Sequence, residues 1–198
     1  MNDLPSAPAT ERNRYPILEQ LKVLLPENAQ VLEIGSGLGQ HAVFFSDAMP
    51  GIEWQPSERK PELPSLEMRV ARQGGANLKR PVQLDVQADP WPSGPFDVVF
   101  TANTAHIMSW LGVKRLFEGA AAVLPAGGML IIYGPFTLDG QFTSSGNLAF
   151  DRDLRSQDPE MGLRDVTDID KLGKNHHMVR ISRIDMPANN MLLVLRRY

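Results

Sequence analysis

Apolar positions in this chain follow two patterns, short continuous runs and helical spacing, which alternate along the sequence. Around Pro16, isoleucine and leucine recur at helical intervals and predict a first helix over about residues 11–25. Seven strand-like runs follow, and they begin at Val31, Ile52, Val82, Phe96, Met129, Met178 and Met191. Helical segments separate the first five runs, except that a proline-rich loop leads from the third to the fourth. Only a short turn at Pro187–Asn190 joins the last two runs, which are therefore expected to be antiparallel. This order predicts an α/β fold in one domain over residues 1–198, with a mostly parallel sheet and an antiparallel terminal hairpin.

The segment from Gly134 to Asp168 interrupts this alternation. It is polar and rich in turn residues, and the regular element that it predicts is a helix from Asp151 to Gln157. Long connections with so little apolar content are typical of loops that cover a binding site. We therefore expect a lid-like insertion over about residues 134–168.

Composition narrows the function classes. Hydrophobic residues make up 42% of the 198 residues and charged residues 22%, as in ordinary soluble globular proteins. The net charge of -3 argues against broad electrostatic binding of a nucleic-acid backbone, so a small molecule or a protein is the favoured partner. No apolar run is long enough to span a membrane and no secretory leader is visible, so we expect a cytoplasmic protein without a membrane partner.

Metal chemistry is not expected. The chain has no cysteine, which excludes thiolate ligands and cysteine nucleophiles. His176 and His177 are adjacent, so their side chains would point apart in a strand, which argues against a metal site there. The sequence does not indicate an oligomeric state.

The stretch VLEIGSGLGQH, residues 31–41, carries the strongest functional signal. An apolar strand runs into three glycines at alternate positions, Gly35, Gly37 and Gly39, and a helical apolar face follows. Glycine permits positive φ values and lets a ligand approach the backbone amides closely. The sixth position of the dinucleotide fingerprint, which requires glycine, is Gln40 here, so the spacing argues against a dehydrogenase. A purely structural strand-to-helix turn is the alternative interpretation.

Glu33 points to a cationic ligand. It ends the first strand two residues before Gly35, where a carboxylate would repel a pyrophosphate but attract a cation. S-adenosylmethionine carries both a sulfonium and an ammonium group. The pattern E-x-G-x-G-x-G resembles motif I of the class I methyltransferases, in which this acid faces the methionine end of the cofactor.

Further candidates follow the next strands. Glu58 lies where an acid is expected to accept from ribose hydroxyls, and Asp85, followed by Val86, lies where an acid commonly meets the adenine amino group. Asn103 and Thr104 follow the fourth strand and are expected to face the methionine portion. For each of these four polar residues the alternative is a loop or capping role without a ligand.

These residues belong to a wider resemblance that covers nearly the whole chain. The blocks that carry it are PATERNRYPIL, LEIGSGLGQH, WQPSE, NTAHIMSW, YGPF, SSGNLAFDRDLRSQDPEMGLRD and MPANN. Together they are similar to a family of class I methyltransferase-like proteins of undefined function that includes methyltransferase-like protein 26. The resemblance implies a Rossmann-like seven-stranded methyltransferase fold and an S-adenosylmethionine cofactor, with no acceptor to carry over. Within its glycine turn, cofactor contacts fall to Gly35, Ser36, Gly37, Gly39 and His41.

Two positions depart from the family pattern. Glu58 stands where aspartate is expected, which keeps the carboxylate. Met161 stands where tryptophan is expected before Gly162, which puts the shape of a lid pocket in question.

Methyl transfer requires alignment of acceptor and donor more than acid–base catalysis, so a base is needed only for an acceptor that loses a proton. His106 follows the fourth strand and is the candidate base or acceptor-orienting residue, with helix capping or packing as the equal alternative. The segment Asn103–His106 lacks the Asn-Pro-Pro-aromatic pattern of enzymes that methylate base amino groups, which further argues against a nucleic-acid substrate.

Four other polar residues have open roles. Arg12 and Asn13 begin the first helix and either fold over the cofactor or lie on the surface. Tyr133 and Arg164 lie in or beside the lid-like segment, where they either recognise a charged acceptor or only tie the loop down.

Three functions compete at this stage. The leading hypothesis is an S-adenosylmethionine-dependent methyltransferase acting on a small molecule. The alternative from another class is a non-catalytic module that keeps the fold, and its ligand, for contact with a protein partner. A dehydrogenase comes third because of Gln40 and Glu33.

Overall fold

The computed structural model describes residues 4–198. Six α-helices lie in these residues: α1 (Pro8–Leu24), α2 (Gln40–Ala48), α3 (Leu63–Gln73), α4 (Trp110–Val123), α5 (Ser145–Gln157) and α6 (Val166–Asn175). The ten strands of the same part of the chain are β1 (Gln30–Ile34), β2 (Glu53–Glu58), β3 (Val82–Gln83), β4 (Val98–Ala102), β5 (Met129–Gly134), β6 (Phe136–Leu138), β7 (Gln141–Phe142), β8 (Arg164–Asp165), β9 (Met178–Met186) and β10 (Asn190–Arg197).

Seven strands form one sheet in the order β3-β2-β1-β4-β5-β10-β9. The pairs β1–β2 and β2–β3 are parallel, whereas β10 is antiparallel to both β5 and β9. The predicted α/β fold, with a mostly parallel seven-stranded sheet and an antiparallel terminal hairpin, is therefore confirmed. No helix among residues 4–198 is long and apolar enough to cross a membrane.

Contacts within the chain divide it into two compact units, the first ending at Phe100 and the second beginning at Thr101, inside β4. In the first unit the core is aromatic: the rings of Phe45, Trp54 and Phe100 lie 5.5–5.9 Å apart, centroid to centroid. Ile17 and Leu21 of α1 are fully buried, which accounts for the apolar spacing in that helix. The helix begins at Pro8, three residues earlier than predicted, because proline is favoured in the first turn.

In the second unit β5 is buried along its whole length, as expected for an apolar strand in the interior of a sheet. Its antiparallel neighbour β10 buries Met191–Leu195. Helix α6 packs closely, since a Cβ added at Gly173 would lie only 2.7 Å from Leu195 Cδ2.

The insertion between residues 134 and 168 is more ordered than predicted. Helix α5 begins at Ser145, six residues before the predicted start, because Ser144 Oγ accepts the Asn147 N–H at 3.1 Å and caps it. Strands β7, β6 and β8 form a second, three-stranded sheet in that order. Each of these strands has only two or three residues, too few for an alternating pattern to reveal.

Asp165 organises the end of this insertion. Its carboxylate accepts from Thr137 Oγ1 and the Gly140 N–H, both at 2.7 Å, and from the Thr167 N–H at 2.9 Å. Burial raises the pKa of Asp165, but the hydrogen bonds from Thr167, Gly140 and Thr137 outweigh it and lower the pKa to about 2. The carboxylate thereby joins the turn after β6 to the start of α6.

Candidate functional site

The glycine turn between β1 and α2 has a backbone that requires glycine. Gly35, Gly37 and Gly39 all have positive φ, of 70°, 54° and 77°. A Cβ at Gly39 would also lie 2.7 Å from Leu66 Cδ1, so this position excludes a side chain sterically as well as conformationally. The turn therefore presents a fixed backbone at the carboxyl end of β1, as the sequence predicts.

Glu33 is buried at the end of β1 with 2% of its surface exposed. Ser36 Oγ and Trp54 Nε1 both donate to its Oε2, each at 2.9 Å. Burial raises the pKa of Glu33 to about 7, although the bonds from Trp54 and Ser36 lower it. Both donors are neutral, so within residues 4–198 no cation faces this acid.

Glu58 ends β2 and is also buried. Its Oε2 accepts the Gly37 N–H at 2.7 Å, and its Oε1 accepts the Arg59 N–H at 2.8 Å. The carboxylate is therefore in direct contact with the glycine turn. Each carboxylate oxygen has a second lone pair, so these bonds leave acceptor capacity for a ligand.

Asp85 and Val86 follow β3 and are half-buried. Asp85 Oδ1 accepts the Gln87 N–H at 2.9 Å, which is the local turn bond that aspartate often forms. The second Asp85 oxygen is in no hydrogen bond among the described residues. The predicted contact with adenine stays a prediction.

At the amino end of α1, Arg12 is exposed and Asn13 is buried. Asn13 Oδ1 lies 2.7 Å from His41 Nε2, and the His41 ring stacks on Phe45 at 5.0 Å. Burial, and then the charge of Arg14, lower the pKa of His41 to about 4. His41 is thus neutral at pH 7, and its Nε2–H donates to Asn13.

Two residues that fix this region were missed by sequence reasoning. Gln40 Oε1 accepts the Ala7 N–H at 2.7 Å and its amide nitrogen donates to Glu11, while Arg69 Nε donates to the Leu38 carbonyl at 2.5 Å and its Nη2 donates to the Pro5 carbonyl. Both side chains hydrogen bond to the N-terminal segment, and Arg69 also joins that segment to the glycine turn. The signal for Gln40 was present, since a long polar side chain occupies the position where a dinucleotide site has glycine.

In the second unit, Asn103 and Thr104 follow β4. Asn103 has a positive φ of 58° and its N–H donates to the Tyr133 carbonyl at 2.9 Å. Thr104 is buried, and its hydroxyl is hydrogen bonded to that of Thr101. Their predicted contact with the methionine portion of a cofactor is not tested by these bonds.

His106 is buried, with 6% of its surface exposed. Its ring meets Phe150 edge to face at 5.2 Å, and a Cβ built on Gly134 would lie 3.5 Å from its Nδ1. Burial, and then the charge of Arg164, lower the pKa of His106 to about 4. Among residues 4–198, neither ring nitrogen forms a hydrogen bond. The buried side-chain polar atoms without a partner in this part of the chain are Arg14 Nε and Glu62 Oε2, so the ring nitrogens of His106 remain within reach of solvent.

The remaining candidates have structural contacts. Tyr133 is buried in β5. Arg164 is buried too, and its guanidinium donates to the carbonyls of Ala105 and Glu160, at 3.0 and 2.9 Å, and of Met108. These bonds favour the second of the two roles expected for Arg164, which is to tie the insertion down. No group of three or more potential metal ligands occurs in the described part of the chain.

Comparisons with known proteins support the fold. A family model described as "Protein of unknown function (DUF938)" matches residues 4–197. The apo form of the S-adenosylmethionine-dependent methyltransferase SibL is similar, with a TM-score of 0.80 and 20% identity over 96% of this chain and 55% of that chain. An O-methyltransferase family 2 protein from Planctomyces limnophilus DSM 3776 in complex with apigenin also has a TM-score of 0.80, with 16% identity over 96% of this chain and 60% of that chain. PigF with SAH has a TM-score of 0.75 and 17% identity over 85% of this chain and 50% of that chain.

At such identities these structures establish the fold alone. The chain spans about half the length of the solved proteins that it matches.

Proposed function

The chain belongs to the DUF938 family of proteins of unknown function, and from its site we propose that it is an S-adenosylmethionine-dependent methyltransferase acting on a small-molecule acceptor. The observation that carries this proposal is Glu33, a buried acid without a cationic partner beside a glycine turn. A carboxylate in such a place is costly unless a cation meets it. The sulfonium and ammonium groups of S-adenosylmethionine supply that charge.

The cofactor residues of the proposal lie in the first unit. The backbone of Gly35–Gly39 and Ser36 holds the methionine end, Glu58 accepts from the ribose hydroxyls, and Asp85 meets the adenine amino group. The burial of Glu58 and its contact with the Gly37 N–H support this assignment, because a ligand at the turn also reaches the carboxylate. Kinship with methyltransferase-like protein 26 is part of the proposal and rests on the sequence blocks alone.

His106 is the proposed proton acceptor for an acceptor group that is methylated on oxygen or nitrogen. A neutral imidazole with unpaired ring nitrogens can accept a hydrogen bond from such a group and orient it. With a pKa of about 4, His106 is a weak base. It can accept the proton that the acceptor group releases during methylation, but it is too weak to ionise that group beforehand. The acceptor is a small molecule in this proposal because the net charge of -3 does not suit a polyanion, and because one similar structure holds apigenin.

Binding calorimetry with S-adenosylmethionine and S-adenosylhomocysteine tests the cofactor. Glu33→Gln keeps the shape of the side chain and removes its charge, so S-adenosylmethionine affinity should fall about tenfold or more, given about 1.5–3 kcal/mol for a charge-assisted contact. Glu53→Gln is the matched control, because Glu53 lies exposed in the same unit with Lys79 as its partner, and it should leave affinity unchanged. If folded wild-type protein binds neither ligand, the proposal is wrong. Tight binding of NADH would instead support a dehydrogenase.

The pH dependence of the same titration sharpens the test. The pKa of Glu33 is about 7 without ligand, so a cation must displace a proton below that pH. Affinity for S-adenosylmethionine should therefore rise up to about tenfold per pH unit between pH 5.5 and 6.5 and level off near pH 7. The Glu33→Gln variant should lack this rise.

Turnover separates the proposal from the non-catalytic alternative. Transfer of a labelled methyl group to members of a neutral and charged acceptor panel, by wild-type protein, is the expected result. Cofactor binding without transfer to any member would instead support a binding module.

A further inference from the structure

The loop that carries His106 has little regular structure of its own. Between the end of β4 at Ala102 and the start of α4 at Trp110, its own bonds are the turn contacts from the N–H groups of Ile107 and Met108 to the Thr104 carbonyl, at 3.0 and 3.1 Å. A catalytic side chain on such a loop needs support from other segments to stay in one position. That support comes from residues 158–164, here called the splint.

Arg164 supplies the side-chain part of the splint. Its Nε donates to the Ala105 carbonyl at 3.0 Å, and its Nη2 donates to the carbonyls of Met108 and, at 2.9 Å, Glu160. The guanidinium also lies over the Trp110 ring, 5.8 Å from its centroid. One planar fork thus spans both sides of His106, a geometry that the single ammonium group of lysine cannot reproduce.

Gly162 supplies the backbone part. Its N–H donates to the His106 carbonyl at 2.9 Å, and its φ is 140°, a conformation open almost only to glycine. A Cβ at this position would lie 2.6 Å from Arg155 Cζ and 2.8 Å from Asp151 Oδ1. The tie to His106 therefore requires glycine here.

The splint is itself fixed on α5 and on the second sheet. Asp151 Oδ1 accepts the Leu163 N–H at 2.8 Å, and its Oδ2 binds Arg155 Nε at 2.9 Å. Arg164 pairs with Phe136 in the parallel β6–β8 ladder. Helix α5 and the β6–β8 pair thus hold the splint, which in turn holds the loop that carries His106.

We propose that Arg164 and Gly162 are positioning residues for His106, which they hold through the backbone carbonyls of residues 105, 106 and 108. The role of His106 rests on the proposed function, whereas the splint itself does not. Three of the five N–H donors of Arg164 are engaged by backbone carbonyls, which fixes the guanidinium against the loop.

Histidine NMR provides a test that does not depend on activity. The ring signals of His106, assigned with His106→Gln, should titrate near pH 4 in the wild-type protein. In Arg164→Lys, which keeps the charge but not the fork, and in Gly162→Ala, which keeps Arg164, the loop should loosen and admit water. We expect the His106 titration midpoint to rise by at least about one pH unit in both variants, while that of His41 stays unchanged.

Gly140→Ala is the matched control for Gly162→Ala. Its φ of 75° is also positive, although it lies nearer the left-handed region that alanine can enter, and no atom lies within 4 Å of the added Cβ. This variant should leave the His106 titration at its wild-type value. S-adenosylmethionine affinity, measured in all variants, should stay within about twofold, since no proposed cofactor residue changes.

The outcomes separate the two proposals. An unchanged His106 titration in folded Arg164→Lys contradicts the positioning role, whatever the activity. If Gly162→Ala does not fold, Arg164→Lys alone decides. If wild-type protein fails to bind S-adenosylmethionine while the His106 titration shifts as expected, the proposed function is wrong and the splint stands.

Discussion

His41 in the first unit and His106 in the second are both buried, and burial lowers the pKa of each imidazole to about 4. Their hydrogen bonding differs. His41 Nε2 donates to Asn13 at 2.7 Å and the ring stacks on Phe45, whereas the His106 ring has an edge contact with Phe150 and, among the described residues, no hydrogen bond. A shifted pKa therefore does not distinguish a packed histidine from an available one, and the unmet hydrogen-bonding capacity does.

The surroundings of the two residues differ in the same sense. In the first unit, Gln40 and Arg69 bond to the N-terminal segment and to the Leu38 carbonyl of the glycine turn, whereas the buried Glu33 accepts from two neutral donors. In the second unit the splint satisfies the loop backbone and leaves the His106 ring open. In the proposed function, Glu33 in the first unit meets a cation and His106 in the second unit offers a neutral base.

The largest expected effect tests the rigidity of the first region. Gly39→Ala adds a Cβ 2.7 Å from Leu66 Cδ1 at a φ of 77°, and should cost roughly 2–5 kcal/mol of unfolding free energy from backbone strain and overpacking. Gly37→Ala shares the positive φ but has no atom within 4 Å, and should cost about 1–2 kcal/mol. Urea unfolding of both variants measures the difference, and equal losses would show that the close contact with α3 has no weight.

The second prediction concerns acid stability. Burial lowers the pKa of each histidine from its ordinary value of 6.5 to about 4 in the folded protein, so each stabilises the fold above pH 6.5 and loses this contribution as the pH falls to 4. The loss is about 3 kcal/mol for each group. Glu33 has the opposite sign, because its raised pKa costs stability as the pH rises from 4.5 to 7.

Unfolding measured at pH 7 and at pH 4 checks the histidine prediction by difference. Either His41→Gln or His106→Gln should lose about 3 kcal/mol less between these pH values than the wild-type protein, while Glu33 contributes equally to all three. At pH 7, His41→Gln should be the more destabilised variant, since it removes a hydrogen bond and a stacked ring. The reverse order would contradict the distinction between the two histidines.

The sequence predicted the first unit better than the second for physical reasons. Helix α2 (Gln40–Ala48) follows the glycine turn as expected, because an apolar strand, alternate glycines and a helical apolar face are all local signals. The β6–β8 sheet was missed because its strands are two or three residues long and Phe136 pairs with Arg164, 28 residues away. Short strands that pair over such distances carry no periodicity of their own.

The site shows the same limit. Glu33 was recognisable because an acid within an apolar strand is a local anomaly. The partners of Arg164 were not, because they are backbone carbonyls 56 and 59 residues away, which no charge pattern reveals. Gln40 likewise bonds to Ala7, 33 residues earlier in the chain.

The smallest expected effect concerns the hydrogen bond between His41 and Asn13, which has no counterpart at His106. Asn13→Ala removes the acceptor of His41 Nε2–H and leaves that buried donor unpaired, at a cost of about 1–2 kcal/mol. Asn147→Ala is the counterpart in the second unit, where the amide nitrogen donates to Thr143 Oγ1 at 2.8 Å and to the Asn189 carbonyl at 3.0 Å, and it should cost a similar amount.

Nitrogen chemical shifts of the histidine rings then show which histidine each substitution affects. Asn13→Ala should free His41 to exchange between its two neutral tautomers and leave His106 unchanged, whereas Asn147→Ala should leave His41 unchanged. If the His41 tautomer stays fixed without Asn13, packing against Phe45 alone holds it, and the hydrogen bond ceases to be what separates a closed histidine from an open one.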